Sequence, residues 1–262
     1  MRKYWWFVKT SIESSFIDRA DILLYSLSLF VTPVIILAVW LVINSSGTNT
    51  IMGYKELVIY FLANVLVGTI RSSWIGQFIP GRIRRGEISS LLVKPVSILS
   101  SWIANNIAEK MVKLAFLIPS VIATGYWLSV GFPNLNIWSW FLVVITTISA
   151  GTIYFLFDVI IGLLAFWLDE TTWIMSLFII LEALFSGRVI PLVLLPLFYK
   201  EIAILMPFRY MMSLPLEILS NQLDSWHIIQ ALTIQTGYLL IAILLYRVIL
   251  KHGIRRYGAS GA

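Results

Sequence analysis

Few side chains in this sequence could do chemistry. Cysteine is absent, which removes disulfides, thiolate metal sites and thiol nucleophiles together. The two histidines, His227 and His252, are too few and too scattered for a histidine metal cluster. No HExxH, GxSxG or GxxxxGKS/T pattern occurs, so zinc hydrolysis, serine-type acyl transfer and P-loop phosphate binding lack their residues. What remains is of two kinds. Asp158, Glu182 and Arg188 are isolated charges set in or beside long apolar runs. Residues 79–98 form a basic, Gly- and Pro-punctuated stretch with Arg82, Arg84, Arg85, Gly86 and Glu87, then an apolar pair, Leu91 and Leu92, then Lys94 and Pro95. Arginines can pair with acidic groups of a partner, and the two leucines can fill an apolar pocket. That pattern suits docking, not catalysis.

The elements that must position these residues are lipid-soluble. Of 262 residues 59% are hydrophobic and only 12% charged, and the mean hydropathy is +0.89. Soluble domains carry roughly 25% charged residues. The expected fold is therefore an all-α integral membrane protein. The net charge of +6 would suggest nucleic acid in a soluble chain, but the basic residues sit at the ends of apolar runs, so no nucleic-acid partner is expected. Ten of the eleven tryptophans fall near span ends, where amphipathic rings favour the interface, and Trp40 is the exception.

Residues 1–20 read as an amphipathic helix lying in the membrane surface, and residues 21–262 as one transmembrane domain. Six spans are expected. The first covers residues 22–43. The second starts near Leu57 and must continue past Arg71 to cross, which leaves Arg71 facing protein or water. The third is ambiguous, because Glu109, Lys110 and Lys113 fall in its first half. Either it protrudes well beyond the bilayer, or residues 98–113 lie along the surface and the crossing starts at Leu114. Glu109 and Lys113 are four apart, which suits an intrahelical pair. The fourth span, residues 138–167, holds Asp158, and a fifth starts at Trp173 and holds Glu182. Beyond it, residues 187–222 are apolar yet broken by Pro191, Pro196, Pro207 and Pro215. They are expected to form a re-entrant helical hairpin packed in protein, since lipid does not tolerate unpaired backbone. The sixth span covers residues 228–250.

Lys and Arg cluster in the N-terminal segment, in residues 79–98 and at the C-terminal end, so both termini and the basic stretch are expected to be cytoplasmic. Two readings stand for Asp158 and Glu182: functional intramembrane groups, or ion-pair and hydrogen-bond partners that hold helices together. Arg188, six residues beyond Glu182, either marks the outer interface or pairs locally. Arg209 is expected to snorkel or to cap a re-entrant helix.

Four stretches, in order across nearly the whole length, resemble type-2 ATP-binding-cassette (ABC) exporter permeases of about 260 residues from bacteria. They are DRADILLY, RRGEISSLLVKPVS, AFWLDETTWI, and FSGRVIPLVLLP followed by PFRYMMSLPLEIL. The resemblance implies a multi-pass subunit of the bacterial cytoplasmic (inner) membrane. It implies that residues 79–98 form a coupling helix seated on a separate cytoplasmic ATPase subunit, which would hold the ATP and Mg, so that this chain binds no cofactor and is not itself an enzyme. It also implies that the permease works as a homodimer or with a paralogous permease, as an exporter. The alternative from another class is a membrane scaffold or assembly protein that conducts nothing.

Overall fold

The structure, a computed structural model, describes residues 19–46, 52–92, 98–131 and 133–259. Ten α-helices and no strand occur among them. The surface helix expected over residues 1–20 lies outside the described residues, apart from 19 and 20, which open α1 (Arg19–Ser45). The second expected span is two helices in line, α2 (Tyr54–Arg71) and α3 (Ile75–Arg84), followed by the short α4 (Glu87–Leu92). Then come α5 (Ile98–Trp127), α6 (Ile137–Leu163) and α7 (Thr172–Phe185). The chain ends in α8 (Leu197–Leu205), α9 (Pro207–Leu219) and α10 (Ser225–Ala259).

Four stretches are long and apolar enough to cross a membrane: Ser26–Ser45, Tyr54–Arg84, Ile137–Phe166 and Ser225–Tyr257. A fifth is added if the α8–α9 pair, bent by 106°, is one span. The count differs from six for two physical reasons. α5 is 30 residues long and unbroken, but Glu109, Lys110 and Lys113 lower the apolarity of its first half. α7 has only 14 residues, which rise about 21 Å, short of a hydrocarbon core about 30 Å thick. On the ambiguity of the third span, residues 98–113 and the apolar run after them form one continuous helix that contains Pro119. Its Glu109 and Lys113 make the expected pair, with Lys113 buried.

α6 is the hub, packing on α2, α3, α7, α9 and α10. Thr147, Gly151, Asp158 and Gly162 recur along it at spacings of 4, 7 and 4 residues, one helical stripe. Small residues there let backbones approach without a hydrophobic driving force between helices. A Cβ on Gly151 would lie 3.1 Å from the Ile70 carbonyl, and one on Gly162 2.5 Å from the Gly76 carbonyl. α2 and α3 are thus pressed against α6. α1 differs, packing on α2 and α5 while most of its surface stays open.

The turn between α7 and α8 is irregular backbone inside the fold, and side chains satisfy it. Gly187 has φ +80°, a left-handed conformation that a Cβ would strain. Three successive carbonyls there accept hydrogen bonds: Gly187 from the Tyr60 hydroxyl at 2.8 Å, Arg188 from Asn64 Nδ2 at 3.0 Å, and Val189 from Trp40 Nε1 at 3.1 Å. Trp40, the tryptophan away from any span end, has its partner in this turn. At the bend after α8, the Ile204 and Leu205 carbonyls accept from the hydroxyls of Tyr210 and Tyr238. These bonds pair carbonyls that have no helical partner, as apolar surroundings require.

Candidate functional site

Two places bring the charged residues together: the break between α2 and α3, and the turn between α3 and α4. At the first, Ser72 adopts φ −54°, ψ 143° and ends α2 after Arg71. The helix resumes at Ile75, and its first amides have no intrahelical acceptor. Asp158, from the last two turns of α6, supplies one. Its Oδ2 accepts from Ser73 Oγ at 2.6 Å and from the Gly76 amide at 2.8 Å. A carboxylate there also complements the positive end of the α3 dipole. Asp158→Ala is expected to cost about 2 kcal/mol, the loss of a cap and of a buried charge-assisted hydrogen bond. Asp158→Asn, which keeps an acceptor, should cost less. Thermal denaturation of the detergent-solubilised variants would order the three.

Glu182 on α7 stands across from the break, 1% exposed. Its Oε1 lies 2.8 Å from Arg71 Nη2 and accepts from Ser186 Oγ at 2.8 Å, while Oε2 accepts from Arg188 Nη1 at 3.2 Å. One carboxylate therefore holds two guanidiniums, from α2 and from the turn after α7. Arg71 is 4% exposed and faces protein, as its position within a span requires. Its Cζ sits 4.6 Å over the Tyr154 ring, a cation–π contact that offsets part of its desolvation. Its Nε and Nη1 have no hydrogen-bond partner. Behind the break, Asn106 on α5 donates to the Ser72 carbonyl at 3.2 Å and accepts from Lys110 at 2.5 Å. The charges in α5 are thus turned inward.

The second place differs from the expected loop. Residues 81–84 belong to α3, which carries Arg82 and Arg84 in its last turn. The chain reverses at Gly86, φ +75°, the conformation that glycine takes at no steric cost. α4 then docks on the body through Ile88, 1% exposed, in a cluster with Ile79, Ile83, Phe155 and Tyr257, and through Ser89 Oγ, which donates to the Tyr257 hydroxyl at 3.2 Å. Arg84, Arg85 and Glu87 stay exposed. Arg84 donates to the Asp169 carbonyl at 3.1 Å, tying α3 to the turn before α7. Arg85 and Glu87 pair at 2.5 Å, and that hydrogen bond holds the Glu87 carboxyl below its usual range. Leu91 and Leu92 lie in α4, while Lys94 and Pro95 lie outside the described residues.

Arg209 is not a snorkelling residue. It is 8% exposed and makes a two-pronged pair with Glu217, two turns further along α9, with Nε to Oε1 at 3.1 Å and Nη2 to Oε2 at 2.6 Å. Reading by helical pairs at three and four residues passes over Glu217, because an i, i+8 pair needs a long arginine laid along the helix. Ile88, the anchor of α4, was equally hidden between the more conspicuous Glu87 and the leucine pair.

Comparison with curated proteins finds no match, and comparison with solved structures finds none. The family model described as "ABC-2 family transporter protein" matches residues 30–261, a range that takes in both charged clusters, the α3–α4 turn and every helix from the middle of α1 onward. The chain therefore belongs to the ABC-2 transporter family, as a multi-pass membrane permease subunit of an ABC transporter.

Proposed function

We propose that this permease exports its substrate across the bacterial cytoplasmic membrane, driven by ATP that a separate subunit hydrolyses, and that α4 with the end of α3 is the coupling helix. The observation that carries this reading is the geometry of the α3–α4 turn. A six-residue helix follows a left-handed Gly86 at the end of the Tyr54–Arg84 stretch. It is fixed to the body by Ile88 and presents Arg84, Arg85 and Glu87 outward. A lever must be anchored behind and exposed in front, and this element is both. The cationic front suits an acidic groove on the ATPase subunit, where ATP and Mg would bind. Six spans then follow if α5 and the α7 region each cross, with α8–α9 as the re-entrant pair and both termini cytoplasmic. The permease works as a homodimer or beside a paralogous permease.

Co-purification tests the assignment. Arg85→Glu and Arg84→Glu/Arg85→Glu are expected to lower retention of the co-expressed ATPase subunit at least tenfold while the membrane subunit melts as wild type does. Retention unchanged in both folded variants would remove α4 from the interface. ATP-dependent flux in vesicles separates a transporter from a scaffold that conducts nothing.

A further inference from the structure

A cavity of about 310 Å³ opens in front of the α2–α3 break, within the size range of small-ligand sites. Its polar floor is Arg71, Ser72, Ser73 and Arg188, with Gln77 and Asn64 beside them. α1 forms one wall through Ser28, Leu29, Thr32, Pro33 and Ile36, and Tyr154 and Ile179 face it. Ser28 and Thr32 are exposed, so the cavity opens along α1, the helix that is least covered by the rest of the fold.

The charged side chains in the wall of this space are of one sign. Arg71 lines it with Nε and Nη1 lacking any acceptor. Its single counter-charge, Glu182, is already shared among Arg71, Arg188 and Ser186. Asp158 is engaged by Ser73 and the Gly76 amide. No Asp or Glu is among the residues lining the cavity, so the two guanidiniums meet this space with their shared carboxylate outside its wall. A buried guanidinium with open donors calls for an acceptor carrying negative charge.

We propose that the cavity is an anion-binding site that takes the phosphate or carboxylate head of an amphiphile, with Arg71 and Arg188 on the head and the tail leaving past α1. Arg71 is held by the Tyr154 ring and Glu182 and places a fixed positive charge in the cavity wall. Arg188 is the adjustable member, its side chain 37% exposed. Ser28, Thr32, Ser72 and Asn64 complete a polar lining, and the apolar side chains of Leu29, Ile36 and Ile179 accommodate the first methylenes. As a statement about cargo this rests on the transport reading, but as a binding site it stands alone and is measured without the ATPase subunit.

The full chain, purified in a neutral maltoside detergent, is titrated with dodecyl phosphate, dodecyltrimethylammonium and inorganic phosphate, with affinity read from tryptophan fluorescence. Saturable binding of dodecyl phosphate, weakened at least tenfold by Arg188→Gln and by Ser28→Leu, is the expected result. If inorganic phosphate competes at similar concentration, the site is upheld with a free anion as its occupant. If it does not, the amphiphile is the source. Equal binding of the cationic and anionic amphiphiles overturns the proposal, as does undiminished dodecyl phosphate affinity in either folded variant. Arg85→Glu, which bears on the coupling assignment, is expected to leave this binding unchanged, so the two readings fail separately.

Discussion

Glu182→Gln is expected to destabilise the protein by about 3 kcal/mol, at the lower end of what breaking a buried ion pair costs by removal of one partner. The loss is large because two cations depend on one carboxylate. Arg188 can turn to water, since its side chain is 37% exposed. Arg71 cannot. It is 4% exposed, with two of its three guanidinium nitrogens already lacking an acceptor. Glutamine keeps the shape of Glu182 and an oxygen for Ser186, so the difference isolates the charge. Replacing both partners of the buried pair, Arg71→Met with Glu182→Met, is expected to cost less than the two single losses together, because the one charge then left without its partner is the half-exposed Arg188, not a buried group. A double-mutant cycle read by thermal denaturation in detergent measures this coupling. A strictly additive result would mean that the two side chains do not depend on one another in the membrane.

The second large effect is steric. Gly76→Ala is expected to cost about 3 kcal/mol, at the top of the range for overpacking. The added Cβ would stand 2.1 Å from the Asp158 carbonyl oxygen and 2.6 Å from Asp158 Oδ1. The first is backbone and cannot swing away, so α3 must lift from α6. Lifting it also stretches the bond from the Gly76 amide to Asp158, so packing and capping fail together. Gly162→Ala meets the same contact from the other side, 2.5 Å from the Gly76 carbonyl. Gly237 in α10 has nothing within 4 Å, and Gly237→Ala should be neutral or stabilising by up to about 1 kcal/mol through helix propensity. Fluorescence-detected size-exclusion after a heating series would rank the three. A Gly76→Ala protein as heat-resistant as Gly237→Ala would show that α3 and α6 are not in contact.

Local features of the fold were legible in the sequence where lipid leaves no alternative. The apolar runs named most helices and Arg71 had to face protein, whereas of the proline-broken residues 187–222 the turn at 187 and α9 are buried and most of α8 lies exposed. The Glu109–Lys113 pair follows from four-residue spacing alone. What was not legible depends on neighbours far apart in the chain. Nothing local to Asp158 says that it caps a helix beginning 83 residues earlier at Ile75, and nothing local to Glu182 names Arg71. A trace was present all the same: Thr147, Gly151, Asp158 and Gly162 share one stripe, and a small-and-polar stripe on an apolar helix marks the side where another backbone comes close. The span count is the converse case. Composition alone suggested six, but three charged residues in α5 and the 14-residue length of α7 leave four stretches, or five with the bent pair, that are long and apolar enough to cross.

The three capped carbonyls at residues 187–189 also divide the molecule mechanically. Tyr60 and Asn64 bind this turn to α2, and Trp40 binds it to α1. Any tilt that carried α1 away from α2 at that level would strip the indole from Val189 and leave a bare carbonyl facing hydrocarbon. The Trp40 indole is therefore the fastening that ties α1 to the turn after α7, and a substitution there would release two elements from one another at once.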